Sequence, residues 1–121
     1  MKKRFALLFI PVLILGAFAL LNRVAAADAT PRRVEISATR FAYTPGEITL
    51  KKNEPVVLVL KSTDVAHGIK FKELNVEVKV SKGGTGQVQF TPTKSGTFVG
   101  HCSVFCGSGH GKMALTLNVV E

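Results

Sequence analysis

The sequence contains no tryptophan, a single tyrosine, two cysteines and two methionines in 121 residues. It also lacks a long segment of helical hydrophobic period, internal repeats and low-complexity tracts, so neither a helical nor a repeat architecture is indicated. About 95 residues follow the apolar N-terminal segment, which is too few for a multidomain enzyme, a large catalytic barrel or a doubly wound nucleotide-binding fold. We therefore expect one small domain.

Acidic residues are scarce: eight aspartates and glutamates stand against sixteen lysines and arginines, for a formal net charge of +8. Four of the basic residues, Lys2, Lys3, Arg4 and Arg23, flank the N-terminal apolar segment, so residues 28–121 have a net charge of +4. The other basic residues are scattered singly, without the aromatic-rich basic stripe that single-strand nucleic-acid binders use. We expect no nucleic-acid partner, since solvated strand faces explain the lysines.

An apolar segment of seventeen residues, Phe5 to Leu21, begins directly after three basic residues. A helix here would be roughly 25 Å long at about 1.5 Å per residue, at the short end of a membrane span and slightly longer than a usual signal core. Ala25, Ala26 and Ala27 form the small-residue pattern that a signal peptidase prefers. Residues 1–27 are therefore expected to be a signal peptide or a single transmembrane anchor, helical over 5–21, and residues 28–32 a linker.

Both alternatives for the N-terminal segment predict the same side of the membrane. Positive charge is retained in the cytoplasm, so everything after residue 28 is expected outside it. The sequence thus predicts an exported protein, located in the periplasm or at the outer face of the cytoplasmic membrane, with the membrane as a partner if residues 5–21 are retained.

Short β segments separated by turn residues make up the sequence from Arg33 onward. Val34 to Ala38 alternates apolar and polar residues, as in a half-buried strand, and Pro55 to Leu60 is an apolar run typical of a buried strand. The last strand, Met113 to Val120, has apolar residues at alternating positions. Further strands are expected at Ile48–Leu50, His67–Phe71, Val76–Val80, Gln87–Phe90 and Gly96–Gly100.

Strands of this length and spacing predict an all-β domain over residues 33–121, a β-sandwich or small barrel with Greek-key connections, preceded by the N-terminal hydrophobic helix. Four phenylalanines, Phe41, Phe71, Phe90 and Phe98, are expected to fill its core.

The candidate site lies between the last two strands. Both cysteines, two of the three histidines and one of the two methionines fall within the thirteen residues from His101 to Met113. Thiolate, imidazole and thioether groups form a soft ligand set that selects copper over magnesium or calcium. The third histidine, His67, is distant in sequence but lies at the end of a strand, where a sandwich could bring it beside this loop.

The residues alone leave three other interpretations of this segment open. Cys102 and Cys106 could form a disulfide in an oxidising compartment, although so short a loop would contribute little stability. A zinc site also fits the cysteine spacing, but methionine is a poor zinc ligand. A blue single-copper site would need only Cys106, His110, Met113 and His67, and Cys102 would then be left over.

The spacing Cys102-x3-Cys106-x3-His110-x2-Met113, with Asp64-Val65-Ala66-His67-Gly68 upstream, resembles the binuclear copper-A (CuA) domain of cytochrome c oxidase subunit II, a member of the cupredoxin family. The resemblance covers most of residues 33–121 and implies a cupredoxin-like strand order and two copper ions as the cofactor. It also implies the ligands: Cys102 and Cys106 as bridging thiolates, His67 and His110 as terminal imidazoles, Met113 as a weak thioether ligand, and Val104 through its backbone carbonyl.

Two bridging sulfurs of this kind hold the copper ions close enough to share one unpaired electron, so each bond changes little when an electron is gained or lost. The thiolates also offset most of the metal charge, which eases burial in an apolar shell. Val65, Ile69 and Phe105 are expected to form that shell. Asp64 could orient a ligand or be an ordinary turn carboxylate, and His101 is left out of the ligand set.

Two departures from the family pattern affect partners and not ligands. Val104 stands where most oxidase subunits have a glutamate that contributes to a magnesium site against the catalytic subunit. The tryptophan-containing aromatic segment that receives electrons from cytochrome c is missing. The implied function is still electron transfer, from cytochrome c or another small donor to the catalytic subunit of a membrane haem-copper oxidase, without catalysis by this chain alone. The alternative is a periplasmic copper-binding or copper-delivery protein.

Overall fold

The computed structural model describes residues 30–121, and these form an all-β domain, as predicted. The strands are β1 (Arg32–Thr39), β2 (Ala42–Thr44), β3 (Glu47–Lys51), β4 (Val56–Ser62), β5 (His67–Phe71), β6 (Val76–Val80), β7 (Thr85–Phe90), β8 (Gly96–His101) and β9 (Ala114–Val120). Two short 3-10 helices, Lys72–Leu74 and His110–Lys112, follow β5 and precede β9.

The N-terminal predictions fall largely outside this range. The expected helix at 5–21 and the signal peptide or anchor at 1–27 lie outside the described residues. Of the expected linker, residues 30–32 are described, and Arg32 already belongs to β1. Over residues 30–121, no helix has the length and apolar character needed to cross a membrane.

The strands form two sheets that share one apolar core. The first sheet has the order β2-β1-β4-β7 and the second the order β3-β9-β8-β5-β6. The pairs β1–β4 and β3–β9 are parallel, and the other neighbours are antiparallel. Because most connections pass from one sheet to the other, β5 lies next to β8 although 24 residues separate them in sequence.

Alternation of side chains decides which face of each strand packs inward. In β9, Leu115, Leu117 and Val119 are buried, while the polar residues between them are only half-buried. In β4, which lies between β1 and β7, the consecutive residues Leu58 to Leu60 are all buried, as its continuous apolar run predicts. Each fully buried leucine, isoleucine or phenylalanine contributes about 1.5–3 kcal/mol, so this core provides a stable base for the connecting loops.

The phenylalanines divide between core and surface. Phe71 and Phe98 are buried, which confirms the prediction for both, and Phe90 is half-buried and packs against the core. Phe41 is 36% exposed in the turn between β1 and β2, so the prediction that it fills the core is wrong. The three residues of β2 and the two 3-10 helices were not predicted, because segments this short have no hydrophobic period of their own.

Candidate metal centre

The residues predicted to bind metal meet at one end of the two sheets. His67 is the first residue of β5 and is fully buried. Cys102 directly follows β8, and Met113 directly precedes β9. The amide of Cys102 donates a hydrogen bond to the Met113 carbonyl at 3.2 Å, which closes the base of the β8–β9 loop. The other predicted residues, Val104, Cys106 and His110, lie within that loop.

The two cysteine thiols lie side by side without a disulfide bond. Their Sγ atoms are 3.5 Å apart, whereas the sulfurs of a disulfide are about 2.05 Å apart. Both cysteines are buried, and a ring nitrogen of His67 lies within 4.8 Å of both sulfurs. Two thiols and one imidazole therefore form a single buried cluster.

The remaining predicted ligands contact this cluster. His110 Nδ1 is 3.7 Å and Met113 Sδ 3.8 Å from the Sγ atom of Cys106. The backbone carbonyl of Val104 accepts a hydrogen bond from the Cys102 thiol at 3.1 Å. His101, which was left out of the ligand set, is exposed at the end of β8. All six predicted residues are thus brought together around the two sulfurs.

The hydrogen bonds of His67 determine which nitrogen is available to a metal. Nε2 lies 2.7 Å from the Asp64 carboxylate, which can only accept a hydrogen bond, so Nε2 holds the ring proton in the neutral imidazole. Nδ1 is buried and has no hydrogen-bond partner among the described residues. A buried lone pair without a partner is costly unless a ligand uses it. Asp64 therefore orients His67, which decides between the two roles considered for this carboxylate.

Burial and neighbouring groups shift the pKa values around the cluster. Burial, followed by the adjacent Cys102, raises the pKa of the Cys106 thiol to about 11. The hydrogen bond from the Arg40 amide, followed by that from His67, lowers the pKa of Asp64 to about 2. Burial also raises the pKa of Tyr43, whose hydroxyl donates to the Gly68 carbonyl. Without metal, Cys106 is therefore a neutral thiol at pH 7 and Asp64 a carboxylate.

Two residues next to the cluster were not anticipated as part of the site. Arg40, in the turn after β1, donates from Nε to the Cys106 carbonyl at 3.0 Å. The ring of Phe41 lies against Gly107 and Gly109 of the β8–β9 loop. No local pattern announces either contact, because each joins residues more than sixty positions apart.

The apolar surroundings agree with the prediction only in part. Ile69 is fully buried, and Val65 packs partly buried against the core. Phe105 is 78% exposed, so the prediction that it shields the site is wrong. Its ring centroid lies 5.6 Å from that of His110, with the planes inclined at 45°, and it covers only the outer side of that imidazole.

The donor atoms fit a copper site. Two thiols, a thioether and an imidazole nitrogen with an unpartnered lone pair are soft or borderline ligands, and they lie in a buried, largely apolar environment. The vacant hydrogen-bonding capacity of His67 Nδ1 is the observation that specifically asks for a ligand, because Asp64 already satisfies the other nitrogen.

A family model described as the cupredoxin-like domain matches residues 11–115, and the chain belongs to this family. The chain is also similar to cytochrome c oxidase subunit 2 of Thermus thermophilus, with 32% identity over 88 residues, or 73% of this chain. This similarity confirms the predicted resemblance to oxidase subunit II. The chain spans 65% of the length of that relative, and 52% of the subunit from a second Thermus thermophilus strain.

Solved structures share the fold. The periplasmic domain of subunit II of cytochrome oxidase from Bradyrhizobium japonicum gives a TM-score of 0.67 at 19% identity, covering 74% of this chain and 84% of that one. Auracyanin A, a blue copper protein from Chloroflexus aurantiacus, gives 0.61 at 18% identity, covering 75% of this chain and 100% of that one. The domain therefore has the all-β cupredoxin-like fold.

Proposed function

We propose that this chain is an electron-transfer domain with a binuclear copper centre, which passes single electrons from a soluble donor to a haem-copper oxidase. The observation that supports it most directly is the pair of free, buried thiols 3.5 Å apart beside the unpartnered Nδ1 of His67. A blue single-copper site needs only one thiolate, so it would leave the second thiol unexplained.

The proposed ligands are the thiolates of Cys102 and Cys106, the imidazoles of His67 and His110, the thioether of Met113 and the backbone carbonyl of Val104. When bound, the copper pair would supply one-electron redox chemistry at a site with little reorganisation. The protein's contribution is to hold these donors in place before metal arrives. The closed base of the β8–β9 loop and the Asp64–His67 hydrogen bond do this, and burial of both sulfurs excludes water.

The proposal also assigns regions and partners. Residues 1–27 would direct export or anchor the chain, residues 28–32 would be a linker, and residues 33–121 would form the copper domain outside the cytoplasmic membrane. The donor would be cytochrome c or another small electron carrier, and the acceptor the catalytic subunit of the oxidase. His110 and the exposed ring of Phe105 form an accessible edge of the site, so we assign electron exit to this edge.

Copper analysis together with electron paramagnetic resonance of the purified protein tests the proposal. We expect two coppers per chain and, in the oxidised state, hyperfine splitting from two equivalent copper nuclei. A spectrum from a single copper nucleus in the fully loaded protein would contradict the binuclear centre. Loading followed by ready transfer of copper to a copper-free acceptor, without reversible oxidation and reduction, would contradict electron transfer and favour copper delivery.

Two substitutions separate the ligand roles. Cys102→Ser should destroy or convert the binuclear spectrum, because serine is a poor bridging ligand at neutral pH. Val104→Ala is the matched control in the same loop, since it keeps the backbone carbonyl and should leave the spectrum nearly unchanged. Equal damage from both substitutions would contradict the assignment of Val104 as a carbonyl ligand.

A further inference from the structure

The turn between β1 and β2 contacts both segments that provide candidate ligands. The backbone amide of Arg40 donates to Asp64 Oδ2 at 2.8 Å. The Arg40 side chain donates from Nε to the Cys106 carbonyl at 3.0 Å. One residue is therefore hydrogen-bonded to the segment before β5 and to the loop after β8.

These bonds continue to the imidazole. The other oxygen of Asp64, Oδ1, lies 2.7 Å from Nε2 of His67. A continuous chain of hydrogen bonds thus runs from the Cys106 backbone through Arg40 and Asp64 to His67. It joins a thiol and an imidazole that are 39 positions apart in sequence and whose spacing must be right for both to bind one metal centre.

The neighbouring Phe41 fixes the same loop from outside. A Cβ atom at Gly109 would lie 2.4 Å from the Phe41 ring, and one at Gly107 would lie 3.0 Å from it. The ring therefore packs directly on the loop backbone. Its contact holds the turn in the position from which Arg40 reaches the Cys106 carbonyl.

We propose that Arg40 is a positioning residue, which fixes the Cys106 segment relative to the Asp64–His67 segment and places a permanent positive charge beside the thiolate pair. The guanidinium stays protonated at all relevant pH values. A fixed positive charge stabilises the state of the centre that has the additional electron, so it raises the reduction potential. The charge effect depends on the proposed function, whereas the positioning role does not.

The positioning role is tested without metal. Amide hydrogen exchange of the copper-free protein is compared between Arg40→Met and Arg32→Met. The control is matched, because Arg32 is also exposed in β1 and also donates to a distant backbone carbonyl, that of Thr49 at 2.8 Å. The reporters are the amides of His110 and Lys112, which donate to the carbonyls of Gly107 and Gly109 inside the loop.

We expect these two amides to exchange about five to ten times faster in Arg40→Met and at the wild-type rate in Arg32→Met, since loss of the anchoring bond lets the loop open locally. Equal rates in both variants would overturn the positioning role. This result stands whether the protein binds two coppers, one or none, so its failure is distinct from failure of the proposed function.

The charge effect is tested by redox titration of the copper-loaded protein. Because Arg40 is exposed, we expect Arg40→Met to weaken the reduction equilibrium only about threefold, or roughly 28 mV for one electron. Arg40→Lys, which keeps the charge, should restore most of this shift, and the shift should shrink in 1 M salt because screening weakens exposed charges. An equal shift in the Lys and Met variants, or one independent of salt, would overturn the electrostatic role.

Discussion

At the scale of single residues, the Asp64 carboxylate has three hydrogen-bond donors around it: the amides of Arg40 and Val65 and the imidazole of His67. All three interact better with a charged carboxylate than with a protonated one, which is why its pKa falls to about 2. The same residue thus stabilises the local fold and selects the nitrogen that His67 presents to the thiols.

A pH-dependent contribution to stability follows from this pKa. Because the folded value is lower than the ordinary value of 3.8, the carboxylate stabilises the fold above about pH 4 and loses this effect as the pH falls towards 2. Asp64→Asn should therefore cost the copper-free protein about 1 kcal/mol at pH 7, the size of one net hydrogen bond, and less as the pH falls below 4. Urea unfolding of both proteins at a series of pH values measures the difference. A difference that stays constant down to pH 2 would contradict the role of the charge.

At the scale of elements, the β8–β9 loop combines most of the candidate ligands with a tight approach to another turn. Gly109 has no room for a side chain because the Phe41 ring occupies the space, whereas nothing lies within 4 Å of the Cβ position of Gly111 in the same loop. Neither glycine has a positive φ, so space alone distinguishes the two positions.

We expect Gly109→Ala to destabilise the copper-free protein by about 1–2 kcal/mol, because the added methyl group must displace the Phe41 ring. Gly111→Ala is the matched control and should change stability by less than about 0.5 kcal/mol. Chemical denaturation of both variants and the wild type is the measurement. Equal stability of the two variants would mean that the Phe41 contact with the loop contributes nothing.

The elements also show what the sequence could and could not predict. β5 and β6 were predicted at their observed bounds, because each combines β-branched or aromatic residues with alternation and turn residues at both ends. The ligand residues were found because the spacing of Cys102 to Met113 is local information. Arg40 and Phe41 were missed as site residues, since their contacts depend on β1 pairing in parallel with β4 and on the packing of one sheet against the other. Phe105 was misplaced because residue type alone cannot tell the inner side of a loop from its outer side.

At the scale of the whole molecule, the net charge of +4 over residues 28–121 is accompanied by a basic surface next to the site. A cavity of about 460 Å³ has Cys102 on its wall and Lys70, Lys72 and His101 among its other lining residues. Lys51 and Lys52 lie at the opposite end of the domain, since Lys51 pairs with Val120 at the far end of β9. An electron donor that approaches Cys102 therefore meets positive charge.

We expect an acidic donor protein to reduce the copper-loaded protein faster at low salt than at high salt, because screening weakens the attraction. The double substitution Lys70→Glu/Lys72→Glu should slow this reaction severalfold. Lys51→Glu/Lys52→Glu makes the same change of net charge far from the site and should slow it much less. Stopped-flow reduction at several salt concentrations measures these rates. Faster reduction at low salt by a basic donor would contradict the prediction and point to a local acidic surface.

The position of β9 in the second sheet affects when the domain can form during synthesis. This last strand lies between β3, to which it is parallel, and β8, so the sheet has a gap at that place until residues 114–120 are available. A chain leaving the ribosome from its N-terminus can pair β5 with β6 early, but β3 has no neighbour in its sheet before β9 appears. Met113, next to β9, emerges at the same stage. The growing chain therefore cannot assemble the full donor set in advance, and metal uptake has to follow synthesis of the whole domain.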